Sequence, residues 1–258
     1  MNVYEQRCYE ELERWRSEPP GVIAQSMDRL LAPAVRAVQA MVPESAFRAA
    51  LEATNRVAVR LAARERVLKR AGLGSLDEIR TLPLERNDEL FRSVRRRALQ
   101  LAAGSGVATG VAGAAGLAVD VPALLTLSLN SIHRAGYCYG YDAAQEGLAL
   151  AIFALASANT LEEKQAAWEA LQSQQHAATA ALRDGLERAA QRELGKQAAV
   201  TGLQTLARQL GLNLGRRKAL GVVPILGALV GGSANAWYMY DLCAAARFAF
   251  LSRRLASA

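Results

Sequence analysis

The residues best equipped for chemistry lie in one stretch, GLAVDVPALLTLSLNSIHRAGYCYGYD, from Gly116 to Asp142. Asp120 is the one formally charged residue between Arg97 and Arg134, and Pro122 follows it closely. His133, Arg134, Cys138 and Asp142 come next, with Tyr137, Tyr139 and Tyr141 among them. An acid in an apolar run has three readings. It caps the helix that restarts at the proline, accepting exposed backbone N–H groups. It is a buried carboxylate paired with His133 or Arg134, or a proton or ion site. Or it serves a hydrolase that brings Asp120, His133 and Asp142 into one pocket. A Cys–His nucleophile from His133 and Cys138 is disfavoured, because their spacing points them to different sides of a helix.

Elsewhere the motifs are weak. GSGVATG approximates a dinucleotide-binding glycine pattern but follows an arginine-rich helix and not a strand. GLNLGRRK lacks the lysine-then-hydroxyl ending of a phosphate loop, and neither H-E-x-x-H nor G-x-S-x-G occurs. Cys8, Cys138 and Cys243 are far apart and odd in number, so a reducing compartment is expected and no disulfide framework or metal site. No catalytic residue is assigned from motifs, and no cofactor is expected.

The elements that must position these residues read as helices throughout. Tyr4–Arg16 is a short helix closed by SEPPG, and Met27–Val42 has helical apolar spacing. Glu44–Arg70 is amphipathic, with Phe47, Leu51, Ala58, Leu61, Ala62 and Leu68 on one face and Arg48, Glu52, Arg56, Arg60 and Arg64 in a ladder beside it. AGLG ends that helix, Ser75 with Glu78 forms a capping box, and Leu84–Gln100 resumes the helix. Thr160 with Glu163 caps a long helix reaching Leu194.

Two glycine-rich apolar blocks stand out, Ala98 to Leu129 and Ala219 to Ala246. Each contains a proline, Pro122 or Pro224, and one acid, Asp120 or Asp241, and each follows a basic cluster, Arg95–Arg97 or Arg216–Lys218. Either block is long enough for a bilayer, which takes about 20 apolar residues. Alanine and glycine make them weakly hydrophobic, however, and a central aspartate costs about 2.5–3.5 kcal/mol on insertion. Two bent hairpins, each broken at its proline, fit better. The expected fold is therefore an all-α multi-helix bundle with two glycine-rich apolar helical hairpins. It forms one domain over 1–258, with amphipathic basic helices over 1–97 and the hairpins and a long connecting helix over 98–258.

The segments ATGVAGAAGLAVDVPALLTLSLNSIHRAGYCYGYD, ALASAN and VVPILGALVGGSANAWYMYD, with the AARFAFLSRR that follows, resemble the EcsC family. Trp15 and the LPLERND segment fit the same order, so the likeness covers nearly the whole chain. The family pattern falls on Gly110, Gly113, Gly116, Asp120, Pro122, Arg134, Tyr139, Gly140 and Asp142. In the later block it falls on Pro224, Gly227, Gly231, Gly232 and Asn235. The resemblance implies a bacterial protein of the kind first named for a gene beside an ABC transporter operon linked to protein secretion. It implies no activity.

The net charge of +7, from 31 basic and 24 acidic residues, flanks the apolar blocks and leaves their interiors nearly neutral. That pattern suits an anionic surface or ordinary solvated helix faces. Mixed signs and the lack of a stacking platform disfavour nucleic acid. The aromatics Tyr137, Tyr139 and Tyr141, with Trp237, Tyr238 and Tyr240, suit either a membrane interface or burial against helices. MNVYEQRCYEELERW is too charged for a signal peptide. The leading expectation is a membrane-associated helical accessory protein on the inner face of the cytoplasmic membrane, with lipid or a transporter subunit as partner. Arg95, Arg96, Arg97, Arg216, Arg217 and Lys218 would contact the membrane or another anion, and Asp120, Arg134, Asp142 and Asn235 would form a buried polar network. The alternatives are a soluble helical protein holding a lipid-like ligand, and the hydrolase above.

Overall fold

The structure, a computed structural model, describes the backbone of residues 1–20, 44–111, 113–184 and 224–256, and the side chains of 1–20, 51–105, 123–179 and 235–256. The expected helix Met27–Val42, the side chain of Asp120, Arg216, Arg217 and Lys218, and the end of the long helix beyond Asp184 lie outside the described residues. Among the described residues there are nine helices and no strands. They are α1 (Val3–Ser17), α2 (Glu44–Ala62), α3 (Arg64–Ala71), α4 (Leu76–Thr81), α5 (Leu84–Val111), α6 (Gly113–Cys138), α7 (Ala149–Ala156), α8 (Leu161–Asp184) and α9 (Pro224–Ala256).

Local chemistry sets most of the boundaries. The side chain of Asn2 accepts the Glu5 N–H at 2.8 Å while Glu5 accepts the Asn2 N–H, so α1 starts in a capping box. Ser75 Oγ accepts the Glu78 N–H at 3.2 Å at the head of α4. Thr160 Oγ1 accepts the Glu163 N–H at 3.1 Å at the head of α8. Gly72, with φ of 73°, closes α3 in the left-handed conformation that glycine adopts without a Cβ clash.

The single helix expected over Glu44–Arg70 is divided at Ala63, whose φ is 47°. The break re-phases the apolar face. In an unbroken helix the buried Ala58 and Ala62 would be followed on the same face by Glu65, Arg66 and Lys69. The left-handed turn, costing about 1 kcal/mol for a non-glycine residue, buries Val67 instead and leaves those three charges exposed. Leu61, expected on the apolar face, is 58% exposed.

The two proline-broken hairpins also need correction. Helix α6 runs unbroken through Pro122, so Asp120 lies inside a helix and is not the cap of a new one. Packing of α6 against α2, α5 and α9 outweighs the roughly 3 kcal/mol that an internal proline costs. The described part of the second block runs as one helix from Pro224, and the residues before that proline lie outside the described ones. Among the described residues no helix is long and apolar enough to cross a membrane.

The core is built by α5, α6 and α9, with α5 against α9 the most extensive contact. Leu84, Phe91, Val94, Ala98 and Ala102 recur at helical spacing along the buried face of α5. Small residues of α9, among them Ala245, Ala246 and Ala249, are buried beside Tyr238, Leu242 and Phe250. Helix α1 closes the assembly: Trp15 stacks on Phe248 at 4.9 Å and meets Trp168 of α8 edge-on at 5.9 Å. Lys164 donates to the carbonyls of Trp15 and Glu18, occupying acceptors that the end of α1 leaves open.

Candidate functional site

The end of α6 and the turn after it, from His133 to Asp142, send polar contacts to four neighbouring helices. The most buried of them centres on Asp88 of α5, which is 6% exposed. Arg247 of α9 grips its carboxylate with two N–H groups, Nε to Oδ1 at 3.1 Å and Nη2 to Oδ2 at 2.7 Å. Tyr4 of α1 donates to the same carboxylate at 2.7 Å, and Tyr139 donates from the turn after α6. Arg247 also reaches Glu11 at 2.9 Å. Burial alone would raise the Asp88 carboxyl, but the guanidinium and the hydroxyls hold it below the ordinary value, so it stays ionised. A carboxylate accepting from four side chains, counting the Cys8 thiol at 3.9 Å, is a clamp joining α1, α5, α9 and the turn after α6.

Next to it, Asn87 uses its amide to bond the carbonyls of Ile79 and Cys138, at 3.1 and 2.8 Å. Arg80 of α4 donates twice to the Gly140 carbonyl, at 3.2 and 2.8 Å. The Tyr141 ring lies between the guanidinium groups of Arg80 and Arg253, 5.0 and 4.1 Å from its centre. Arg253 forms an ion pair with Glu146, and both are largely buried. Gly140 has φ of 83° and sits so close to α4 that an added Cβ would lie 2.7 Å from both the Arg80 nitrogen and the Leu76 carbonyl oxygen.

His133 is fully buried, with Nε2 2.8 Å from Asn55 Oδ1 and Nδ1 without a hydrogen-bond partner. Burial pulls it down to about 4, against a smaller opposing pull from Asp142. The unfolded chain protonates near 6.5 while the folded chain resists, so stability present at neutral pH is lost as pH falls through that window. The expected loss between pH 7 and pH 5 is about 2 kcal/mol. Urea unfolding at both pH values should show it, and the His133→Asn variant should flatten that part of the profile. An unchanged slope in the variant would assign the pH dependence elsewhere.

Of the four residues expected to share one polar network, Asp142 and Arg134 have described electrostatic surroundings. Asp142 accepts the N–H groups of Ala144 and Gln145 at 3.0 and 3.3 Å and faces Arg64 at 4.0 Å. Burial lowers Arg134 from the ordinary arginine value, and the like charges of Arg97, Arg66 and Arg70 add to the effect. Asn235 is buried on α9, and the Asp120 side chain lies outside the described residues. Arg95 packs over the Tyr240 ring at 5.8 Å, while Arg96 and Arg97 are exposed.

Burial pushes the thiols of Cys8 up to about 11 and of Cys138 and Cys243 up to about 12, so they are poor nucleophiles at neutral pH. Tyr137, Tyr139, Tyr141 and Tyr238 are core residues, and only Tyr240 of that aromatic set is largely exposed. Among the described residues no group of His, Cys, Asp and Glu side chains could hold a metal ion. A cleft of about 370 Å³ between α1 and α8 is lined by Trp15, Trp168 and four charged side chains, which suit a polar group better than an acyl chain.

Asp88 and Arg247 were not among the expected site residues. The signal was present: Asp88 falls on the apolar stripe of α5, three and four residues from Phe91 and Leu84, and Arg247 stands alone between Ala246 and Phe248 in an otherwise uncharged run.

Comparison with known proteins agrees with the resemblance. The family model of the EcsC protein family matches residues 6–255, so the chain belongs to that family. It is 40% identical over 68 residues to the uncharacterized protein YdbA of Bacillus subtilis (strain 168), a match covering 26% of this chain and 25% of that protein. The chain thus aligns with about a quarter of that relative's length. No solved structure matches.

Proposed function

We propose that this EcsC-family chain is a peripheral membrane accessory protein that docks on anionic lipid at the inner face of the cytoplasmic membrane, beside a transporter partner. One observation supports the reading above others. Arg66, Lys69 and Arg70 of α3 and Arg92, Arg96 and Arg97 of α5 are exposed, and none forms an ion pair among the described residues. Elsewhere on the surface, Arg16 and Arg86 are matched by Glu13 and Glu89. Unmatched arginine at a surface gains about 1 kcal/mol per residue near an anionic leaflet. Because no described helix spans a bilayer, attachment would be electrostatic and reversible.

The test is co-sedimentation with vesicles. Wild-type protein should bind phosphatidylglycerol vesicles, ignore pure phosphatidylcholine, and be released by raised salt. Charge reversal at Arg92 and Arg96 together should weaken binding by about thirtyfold or more. Equal partitioning to both vesicle types, or none to either, would sink the reading.

A further inference from the structure

The geometry points to a built site for a phosphate monoester, centred on Arg134 and flanked by Arg66, Arg70 and Arg97. It rests on the same arginine surface as the membrane reading and gives that surface a specific ligand.

Arg134 leaves α6 one turn before Cys138 and is half-buried. Its Nε is buried and has no hydrogen-bond partner. A guanidinium carries five N–H donors, and leaving a buried one unpaired costs about 1–3 kcal/mol or more. Every other half-buried arginine described above has found an acceptor or a ring: Arg247 has Asp88 and Glu11, Arg253 has Glu146, and Arg80 has the Gly140 carbonyl. Arg134 faces three further cations. Arg66 and Arg70 are one turn apart on α3 and project from the same side, α3 packs on both α5 and α6, and Arg97 comes from α5. None of the four pairs with an acid among the described residues.

Desolvation and this repulsion hold Arg134 below the ordinary arginine value. A fold that only needed an apolar stem there would be more stable with methionine. Arg134 of α6, Arg66 and Arg70 of α3 and Arg97 of α5 bring like charge to one part of the surface, where one oxyanion with several acceptor oxygens would offset the repulsion. A phosphate monoester fits better than a carboxylate or a diester, since it offers three terminal oxygens and close to two negative charges near pH 7. It could arrive as a free phosphorylated solute or as the headgroup of phosphatidate.

The experiment uses the full chain, wild type beside Arg134→Met, Arg66→Gln and Arg70→Gln. Two probes separate the sources: inorganic phosphate followed by thermal melting against chloride of matched ionic strength, and co-sedimentation with phosphatidate vesicles against phosphatidylglycerol vesicles of equal surface charge. A saturating phosphate-dependent rise in Tm that Arg134→Met reduces by about tenfold or more in apparent affinity supports the site with a free ligand. No response to phosphate, but a preference for phosphatidate lost in Arg134→Met, supports it with a lipid headgroup. Arg134→Met without ligand should melt no lower than wild type, and the two exposed substitutions keep the test open if it does not fold. Wild-type protein that neither responds to phosphate nor prefers phosphatidate overturns the site. Phosphatidylglycerol binding unchanged in Arg134→Met leaves the membrane reading standing by itself, whereas its absence in wild type sinks that reading and spares a site that still answers to free phosphate.

Discussion

Replacing Asp88 by asparagine should lower the unfolding free energy by about 4 kcal/mol, the range found when one partner of a buried ion pair is removed. Asparagine keeps the shape but not the charge. Arg247 would then face Tyr4, Tyr139 and a neutral amide, with Glu11, itself partly exposed, as its remaining counter-ion. Three helices and the turn after α6 meet at this carboxylate, so the loss would not be local. Urea unfolding followed by far-UV circular dichroism should show a lower midpoint with a similar slope. The double variant Asp88→Asn with Arg247→Met should recover a large part of the loss, because no buried charge is stranded. Because Asp88 is held below the ordinary carboxyl value, its contribution is complete above about pH 4 and fades as acid protonates the folded state. A single-variant cost below about 1 kcal/mol would show that the clamp is ornamental to stability.

Gly140→Ala should be of similar size, about 4 kcal/mol, from two additive causes. A left-handed φ of 83° strains any residue with a Cβ, by about 1–2 kcal/mol. The new Cβ would also press within 2.7 Å of the α4 backbone at Leu76 and Arg80, and neither backbone atom can rotate aside. Overpacking of that kind costs about 1–3 kcal/mol. Relief by shifting α4 would break both bonds from Arg80 to the Gly140 carbonyl. Gly72→Ala is the control: it shares the backbone strain, with φ of 73°, but an added Cβ meets nothing within 4 Å. Its thermal melt should fall by less than half as much, and equal losses would remove close approach as the explanation.

Features governed by neighbouring residues could be read from the chain directly. The caps at Ser75 and Thr160, the stop at SEPPG and the glycine closing α3 depend on side-chain and backbone groups a few residues apart, and the structure has them where expected. What a local pattern could not convey was competition between local cost and distant packing. Pro122 signals a break, yet contacts from three other helices carry α6 through it. Ala63 carries no turn signal, yet it turns, because continuing would bury Glu65, Arg66 and Lys69. The partner of Asp88 lies 159 residues away, and no periodicity within one helix reveals which cation will arrive. Arg134 was legible as a site residue, but its surroundings were not: an acid was the expected neighbour, and α3 brings arginines.

The clamp also imposes an order on synthesis. Glu11 and Arg247 are 236 residues apart, and Tyr4 closes on a carboxylate whose guanidinium partner is on α9. A growing chain emerges at about 5–20 residues per second, so α1 and α5 are out of the ribosome for many seconds before α9 exists. During that wait Asp88 has no counter-ion, and the apolar face of α5 that α9 will cover stays bare. Premature termination between Asp88 and Arg247 leaves a product that cannot close this clamp. Such a fragment should be cleared by proteases and chaperones as nascent debris, because only α9 brings the counter-ion that closes the clamp.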